Sequence, residues 1–280
     1  MTSVCRRWIA AGLAAVLAAP ASSHEFWIVP DRFTVARGDA VGVGLRVGTG
    51  WPGEDFGRQD RRIVRFAWID ASGERPLEGG EGDVPAGRVG EAASGTAIAV
   101  YRSTDATAEL DAATFEAYLR EEGLEQASAE RAERGLSGAA VRERYSRCAK
   151  AILGVTSGRA RARRTGPSPV DVTRPVGLDL EIVPLADPRD VLRARGMLPI
   201  RVTWRGAPAR GLLVKAQRQG EPAVRITART DADGRATVRL PSGGIWLVNT
   251  VRMQAAPEGS GFDWQSTWSS LTFEARSRNP

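Results

Sequence analysis

The sequence predicts an all-β protein with a small helical insertion, built from two β-sandwich domains in tandem, immunoglobulin-like or jelly-roll-like in kind. Glycine and proline are frequent, with 31 and 16 residues in a chain of 280, and turn signals recur about every ten residues, as in sandwich folds. Between the turns, apolar and polar residues alternate as expected for half-buried strands. A single segment has instead the apolar spacing of a clear helix.

Residues 1–23 have the composition of a secretory signal peptide. Two arginines, Arg6 and Arg7, precede an apolar run over 9–19, and small residues follow. The apolar run is shorter than the roughly 20 residues that cross a membrane as a helix, and no later stretch approaches that length. We therefore expect an exported, periplasmic protein without a membrane span in its mature chain. Cleavage fits after Ala21 or after Ser23, and the sequence does not choose between them.

The first domain is predicted over 24–175. Alternating residues and turn signals predict strands over 26–29, 32–36, 40–47, 63–70, 95–101 and 146–155, and glycine-rich loops over 48–55 and 73–95.

The helical insertion is predicted around 107–144. Asp111 is placed to cap a helix whose apolar face carries Phe115 and Tyr118, and Gly123 is placed to end it. The following residues are rich in alanine, glutamate and arginine, so we expect an exposed element, helical or mobile, carried on the sandwich.

The second domain is predicted over 176–280, after a segment rich in glycine, arginine, proline and serine that separates the two domains. About seven short strands in roughly 100 residues are typical of an immunoglobulin-like sandwich. They are expected over 179–184, 197–204, 212–217, 224–230, 235–240, 244–249 and 267–273. Asp231 and Asp233 resemble the start of a calcium loop, but the required glutamate and helix are missing, so we predict a turn.

The charge of the chain gives little reason to expect a nucleic-acid partner. Removing the signal takes away two arginines and no acidic residue, so the net charge falls from +6 to +4. The densest basic run has no interleaved aromatic residue and is interpreted as a solvated loop. It comprises Arg159, Arg161, Arg163 and Arg164.

We expect no catalysis. Cys5 leaves with the signal, and Cys148 lies in an alternating apolar run, so we predict a small buried side chain rather than a nucleophile. No second histidine exists to activate a cysteine or serine. The paired carboxylates Glu121 and Glu122 are interpreted as residues of a surface helix, away from any cleft.

The only histidine of the chain, His24, is the candidate metal ligand. Cleavage after Ala21 would place it third, where the terminal amine, two amides and the imidazole form a square-planar set of four nitrogens. Cleavage after Ser23 would make it the first residue, where the amine and the imidazole chelate as a pair and need further ligands from the fold. Nitrogen donors of this kind suit Ni²⁺, Co²⁺ or Cu²⁺.

Several stretches resemble the bacterial family numbered 4198 among domains of unknown function. They include His24-Glu-Phe-Trp-Ile-Val-Pro, Gly48-Thr-Gly-Trp-Pro-Gly and Tyr145-Ser-Arg-Cys-Ala-Lys, and they continue over 115–124, 180–184, 198–202, 230–235, 244–248 and 263–273. The resemblance implies an exported protein associated with nickel or cobalt uptake. A membrane metal transporter is then the expected partner, and no oligomeric state is implied.

One position departs from the family pattern. The resemblance implies a second histidine after the strand over 244–248, where this chain has Arg252. Two histidines would form a brace-like site, whereas a guanidinium does not ligate cations and repels them. We therefore expect a site formed by His24 and the terminal amine, with Glu25 close by.

The alternative function is a metal-free module that binds carbohydrate or protein. The chain has eight tryptophans, and Trp51, Trp264 and Trp268 lie near glycine-rich loops, where aromatic rings can form a binding face. Metal titration tests the first hypothesis, and quenching of tryptophan fluorescence by glycans tests the second.

Overall fold

The computed structural model describes residues 25–157, 170–221 and 223–276. Its helices are α1 (Ala112–Glu121) and α2 (Glu125–Glu133), with 3-10 helices at Asp60–Arg62 and Pro188–Ala194. All other regular structure consists of strands, so the predicted all-β class with a small helical insertion is confirmed.

In chain order the strands are β1 (Glu25–Pro30), β2 (Thr34–Ala36), β3 (Val41–Gly48), β4 (Glu54–Phe56), β5 (Ile63–Asp70), β6 (Gly73–Pro76), β7 (Gly87–Val89), β8 (Gly95–Ser103), β9 (Ala106–Leu110), β10 (Val141–Thr156), β11 (Leu180–Pro184), β12 (Met197–Trp204), β13 (Ala207–Pro208), β14 (Leu213–Arg218), β15 (Arg225–Arg229), β16 (Arg235–Arg239), β17 (Gly244–Ala255) and β18 (Trp264–Ala275). Most predicted strands are present. The sequence missed β6 and β7 inside the predicted loop over 73–95, and β9 and the start of β10 inside the predicted insertion.

The strands form three sheets. The N-terminal sheet has the order β1-β3-β4, with β7 also paired to β3, and the C-terminal sheet has the order β11-β12-β13, with β16 also paired to β12. The central sheet has ten strands in the order β15-β14-β17-β18-β10-β8-β5-β6, with β2 and β9 paired to β10.

The central sheet is buried on both faces. Along β8, Ile98 and Val100 belong to one apolar core, together with residues of the C-terminal sheet. Their neighbours Ala97, Ala99 and Tyr101 belong to a second core, together with residues of the N-terminal sheet. Because successive side chains of a strand point to opposite faces, the two cores lie on opposite sides of the central sheet. This double burial explains why β8 is an almost continuous apolar run.

The two halves of the chain are joined in the central sheet. The long strand β10, from the first half, runs parallel to β18, from the second, with Glu143 opposite Trp264 and Ile152 opposite Phe273. The two predicted sandwiches therefore share a sheet. The boundary between 24–175 and 176–280 stays a prediction, and the basic run from Arg159 to Arg164 lies outside the described residues.

The helical insertion packs against the central sheet instead of projecting from it. Asp111 caps α1 by accepting a hydrogen bond of 2.8 Å from the backbone N–H of Thr114, as the sequence predicts. The buried face of α1 contacts tryptophans of β18: the ring of Tyr118 stacks on Trp268 at 5.5 Å, and Phe115 lies 6.2 Å from Trp264. In the element that follows α1, Ala127 and Arg131 are buried, whereas the expectation of an exposed element is confirmed for residues 132–140, which are all exposed.

Candidate functional site

A row of polar side chains crosses the face of the central sheet that carries β1 and α1. Lys215 of β14 is paired with Asn249 of β17, which is paired with Ser270 of β18. All three residues are buried. Since burial of polar groups costs free energy unless partners are present, such a row on a covered sheet face marks a candidate site.

The first residue of β1, Glu25, lies above this row. Its backbone is fixed by pairing with Gly48 of β3, and its carboxylate Oε1 lies 2.8 Å from Nζ of Lys215. Glu25 is only 5% exposed. His24, the predicted metal ligand, is the residue before Glu25 and lies outside the described residues.

A second carboxylate reaches the same lysine from the helical insertion. Glu122 follows the last residue of α1, and its Oε1 lies 2.6 Å from Nζ of Lys215. Three distant elements, β1, α1 and β14, therefore meet at one ammonium group. We call Glu25, Glu122 and Lys215 the acidic triad.

The acidic triad has more carboxylates than cations. Burial raises the pKa of Glu122 to about 7, although Lys215 opposes the shift and Glu25 adds to it. Burial by itself lowers the pKa of Lys215, but the two carboxylates outweigh that effect and raise it. The lysine therefore stays protonated, while Glu122 is poised to exchange a proton near neutral pH.

A small cavity adjoins the acidic triad. Its volume is about 10 Å³, which is roughly the space that one water molecule needs. Its lining includes Glu25, Lys215, Gln217 and Asn249. The side-chain oxygens of Asn249 and Ser270 are buried and have no hydrogen-bond partner among the described residues. Asn249 lines the cavity, and since buried polar atoms normally have partners, its side-chain oxygen fits a small polar ligand such as one water or one ion.

The described residues do not by themselves complete a metal shell. Within 25–157, 170–221 and 223–276, no group of three or more histidine, cysteine, aspartate or glutamate side chains is arranged to hold a metal ion. The carboxylate and amide oxygens beside the cavity can supply part of a shell. A cation here would also need donors from the residues that precede Glu25.

Another buried carboxylate lies further along the same sheet face. Glu143 of β10 accepts hydrogen bonds from the hydroxyl of Tyr118, at 3.2 Å, and from that of Ser266. Burial raises the pKa of Glu143 to about 7, and the two hydroxyls offset only part of the shift. Both carboxylates with raised pKa values thus lie where the helical insertion meets the central sheet.

Arg252 does not face the acidic triad. Its guanidinium lies 4.7 Å from the ring centroid of Trp204 in the C-terminal sheet. Asn249 and Arg252 are three residues apart on β17, so their side chains point to opposite faces of the central sheet. The expectation that Arg252 repels a cation held near Glu25 is therefore wrong. On β17, Asn249 is the residue beside the cavity.

Trp51 is a core residue rather than part of an aromatic binding face. It is buried in contact with Trp27 and Leu247, and its backbone N–H donates a hydrogen bond of 2.8 Å to the side-chain oxygen of Gln217. A Cβ atom on Gly53 would lie 2.4 Å from the ring of Trp27. Only glycine therefore allows the loop to pack this closely against Trp27.

Trp264 and Trp268 are also buried, beneath the helical insertion. The three tryptophans that the carbohydrate hypothesis requires at the surface are therefore all enclosed. An aromatic ring can stack on a sugar only where solvent reaches it, so this prediction is wrong for these residues.

Two further sequence predictions are confirmed. Cys148 is buried and free, and burial raises the pKa of its thiol to about 11, which disfavours the reactive thiolate. Asp231 forms a turn, since its Oδ1 accepts hydrogen bonds from the backbone N–H groups of Asp233 and Arg235.

The sequence missed Glu122, Lys215 and Asn249 as site residues. Glu122 was expected on a surface helix, but it is 5% exposed. Lys215 and Gln217 alternate with the apolar Val214 and Ala216, a pattern that also describes a solvent-facing edge. No local signal separates a polar face covered by a second layer from one covered by water.

Comparisons with known proteins give one finding. No curated protein matches the chain. A family model described as Domain of unknown function (DUF4198) matches residues 21–254, which covers His24, the helical insertion, the acidic triad and most of the central sheet. The chain therefore belongs to the DUF4198 family of proteins of unknown function.

Proposed function

We propose that this chain is an exported binding protein that holds a late first-row divalent cation, Ni²⁺, Co²⁺ or Cu²⁺, at its mature N-terminus. The ligands are the imidazole of His24 and the free α-amine. The cation is cargo rather than a cofactor, and the protein binds it without turning anything over.

The observation that carries this proposal is the burial of Glu25 in the acidic triad. The residue directly after the only histidine is held in a strand and by an ammonium group at 2.8 Å. Glu25 thus acts as an anchor for the terminus, beside a cavity whose lining includes the side chains of Gln217 and Asn249 as well as the cationic Lys215 and Arg225. A chelate loses less conformational entropy on binding when its backbone is already fixed.

The two cleavage sites make different demands on the fold. A chain that starts at Ser22 supplies four nitrogens by itself, and its affinity is independent of the anchor. A chain that starts at His24 supplies only two, so the fold must complete the shell. The buried oxygen of Asn249, which has no partner among the described residues, is a candidate for that role.

Export and a transporter partner belong to the same proposal. The apolar run over 9–19 and the small residues before His24 support cleavage and release into the periplasm. In the part of the chain that the structure describes, no helix has the length and apolarity to cross a membrane. We propose that the loaded protein delivers its cation to a membrane metal transporter.

The test combines the mass of the mature protein with calorimetry. Intact mass of protein purified from the periplasm identifies the first residue, and titration with Ni²⁺, Co²⁺ and Cu²⁺ follows on the same material. We expect one tight site that H24A abolishes. Absence of binding in the mature wild-type protein would refute the proposal.

A pair of matched variants separates the anchored site from a free terminal site. E25Q weakens the anchor, whereas E221Q removes an exposed carboxylate elsewhere. For a chain that starts at His24, we expect E25Q to weaken binding at least tenfold and E221Q to leave it unchanged. Equal affinities for wild type and E25Q in such a chain would show that the fold does not assist binding.

A further inference from the structure

Arg147 lies in an aromatic cage on the β1 side of the central sheet. Its guanidinium carbon is 5.0 Å from the ring centroid of Phe26, 5.8 Å from that of Phe56 and 5.2 Å from that of Tyr145. The cage is therefore assembled from β1, β4 and β10. The side chain is only partly exposed.

The guanidinium of Arg147 has no counter-ion among the residues that the structure describes. No ion pair and no guanidinium hydrogen bond connects it to any residue in 25–157, 170–221 or 223–276, and its Nε is buried without a partner. Burial lowers the pKa of Arg147, and the nearby Arg62 adds to that shift. A buried charge without a partner costs free energy, so a site of this kind calls for an anion.

A second unpaired arginine adds positive charge at the same place. Arg62 lies 6.0 Å from the ring of Tyr145 and donates a hydrogen bond to the backbone oxygen of Asp105, at 2.7 Å. It has no ion pair with the described residues. Acidic side chains nearby are already engaged: Asp60 contacts Arg58 at 2.6 Å, and Asp105 contacts Arg144 at 3.6 Å.

A structural arginine elsewhere in the chain shows what a satisfied side chain looks like. Arg131 of α2 also lies over an aromatic ring, at 5.2 Å from that of Phe115. Its Nε is 2.8 Å from the carboxylate of Glu116, and its terminal nitrogen donates to two backbone carbonyl groups, those of Ser137 and Ala139. Arg147 has the aromatic contacts but none of these anionic or carbonyl partners.

We propose that Arg147 anchors a binding site for the carboxylate of a small organic acid, with the apolar body of the acid against Phe56 and Tyr145. A planar guanidinium matches a carboxylate through two parallel N–H···O bonds. A single caged arginine with one neighbour suits a monoanion better than a phosphate, which needs several donors. The site is separate from the acidic triad and does not depend on the proposed metal binding.

The first test is calorimetric titration of the full mature protein with benzoate, acetate and inorganic phosphate. We expect benzoate to bind most tightly, because it has both a carboxylate and an apolar ring. R147Q should weaken benzoate binding at least tenfold. The matched control is R142Q, which removes an exposed arginine of the same strand that lies over Phe262 at 5.6 Å and should leave binding unchanged.

Two outcomes would overturn the proposal. One is no benzoate binding to the wild type at millimolar concentrations, and the other is phosphate binding tighter than benzoate. A third measurement does not require a folded variant: phenylglyoxal labelling of the wild type, mapped by mass spectrometry. Benzoate should protect Arg147 from the reagent, whereas equal labelling of Arg147 with and without benzoate would contradict the assignment.

Thermal stability separates a ligand site from a purely structural cage. Replacing an unpaired buried charge by an apolar side chain of similar length is often stabilising. We expect R147M to melt at a higher temperature than the ligand-free wild type. A lower melting temperature for R147M would mean that the arginine stabilises the fold through its aromatic contacts alone.

Discussion

Two buried lysines lie on opposite faces of the central sheet and differ in their charge balance. Lys150 of β10 has a single carboxylate partner, Glu181, at 2.7 Å. The same oxygen of Glu181 also accepts a hydrogen bond from the backbone N–H of Val176, and its other oxygen accepts hydrogen bonds from those of Gly177 and Leu178. Lys215, on the other face, is shared by Glu25 and Glu122, next to buried oxygens without partners among the described residues.

The difference separates a structural ion pair from a candidate site. Around Lys150 the two charges balance one to one, and both oxygens of Glu181 accept hydrogen bonds, so the pair fixes the start of β11 against the central sheet. Burial lowers the pKa of Lys150, although Glu181 opposes the shift, whereas the pKa of Lys215 is raised by two carboxylates. The excess negative charge around Lys215, beside a cavity, favours binding of a further ligand. The balanced pair of Lys150 and Glu181 does not.

The largest expected effect is the loss of the balanced pair. E181Q leaves Lys150 buried without a counter-ion, and breaking such a pair costs about 3–5 kcal/mol. Urea unfolding of wild type and variant measures this difference in the free energy of unfolding. The double variant K150M/E181Q should recover part of the loss, because the orphaned charge is gone. A loss below about 1 kcal/mol in E181Q would contradict the structural role of the pair.

A smaller effect, with a pH dependence, is expected for the acidic triad. K215M leaves two carboxylates close together without a cation, which we expect to cost about 2–3 kcal/mol at pH 8. At pH 5 the loss should shrink, because the remaining carboxylates can bind protons. K150M is the matched control, since Glu181 keeps its three backbone donors and should show less change with pH. If K215M lowered the free energy of unfolding equally at pH 5 and pH 8, the two carboxylates of the acidic triad would not depend on Lys215 for charge compensation.

The smallest effect concerns Glu143. Its pKa is raised from 4.5 to about 7 in the folded protein, so between these values the folded chain binds more protons than the unfolded chain. Stability contributed by the protonated carboxyl is therefore complete below pH 4.5 and is lost as the pH rises through 7. We expect E143Q to remove about 1–2 kcal/mol of this decline. Unfolding curves between pH 5 and pH 8 measure this decline in the free energy of unfolding. If the free energy of unfolding of E143Q and of wild type fell in parallel over this pH range, the prediction would be refuted.

The fold was largely predictable because strands have a local sequence pattern of alternating polar and apolar residues bounded by turn residues. The bounds of β5 and β12 match the predicted 63–70 and 197–204, since alternation and turn residues are properties of adjacent positions. The site was much less predictable. The sequence singled out His24 and Glu25, but Glu122 and Lys215 are 93 residues apart and meet only after folding.

By itself, the sequence determined the strand-rich class, the capped helix at Asp111 and the buried, unreactive Cys148, because propensity, capping and hydrophobic pattern act over a few residues. Tertiary structure alone decided which polar positions are covered. Arg147 and Lys150 stand three residues apart on β10, yet Arg147 faces an aromatic cage with no counter-ion in the described part of the chain, whereas Lys150 faces a glutamate that balances its charge. The cost of burying a charge depends on the layer packed above it, and that layer comes from distant parts of the chain.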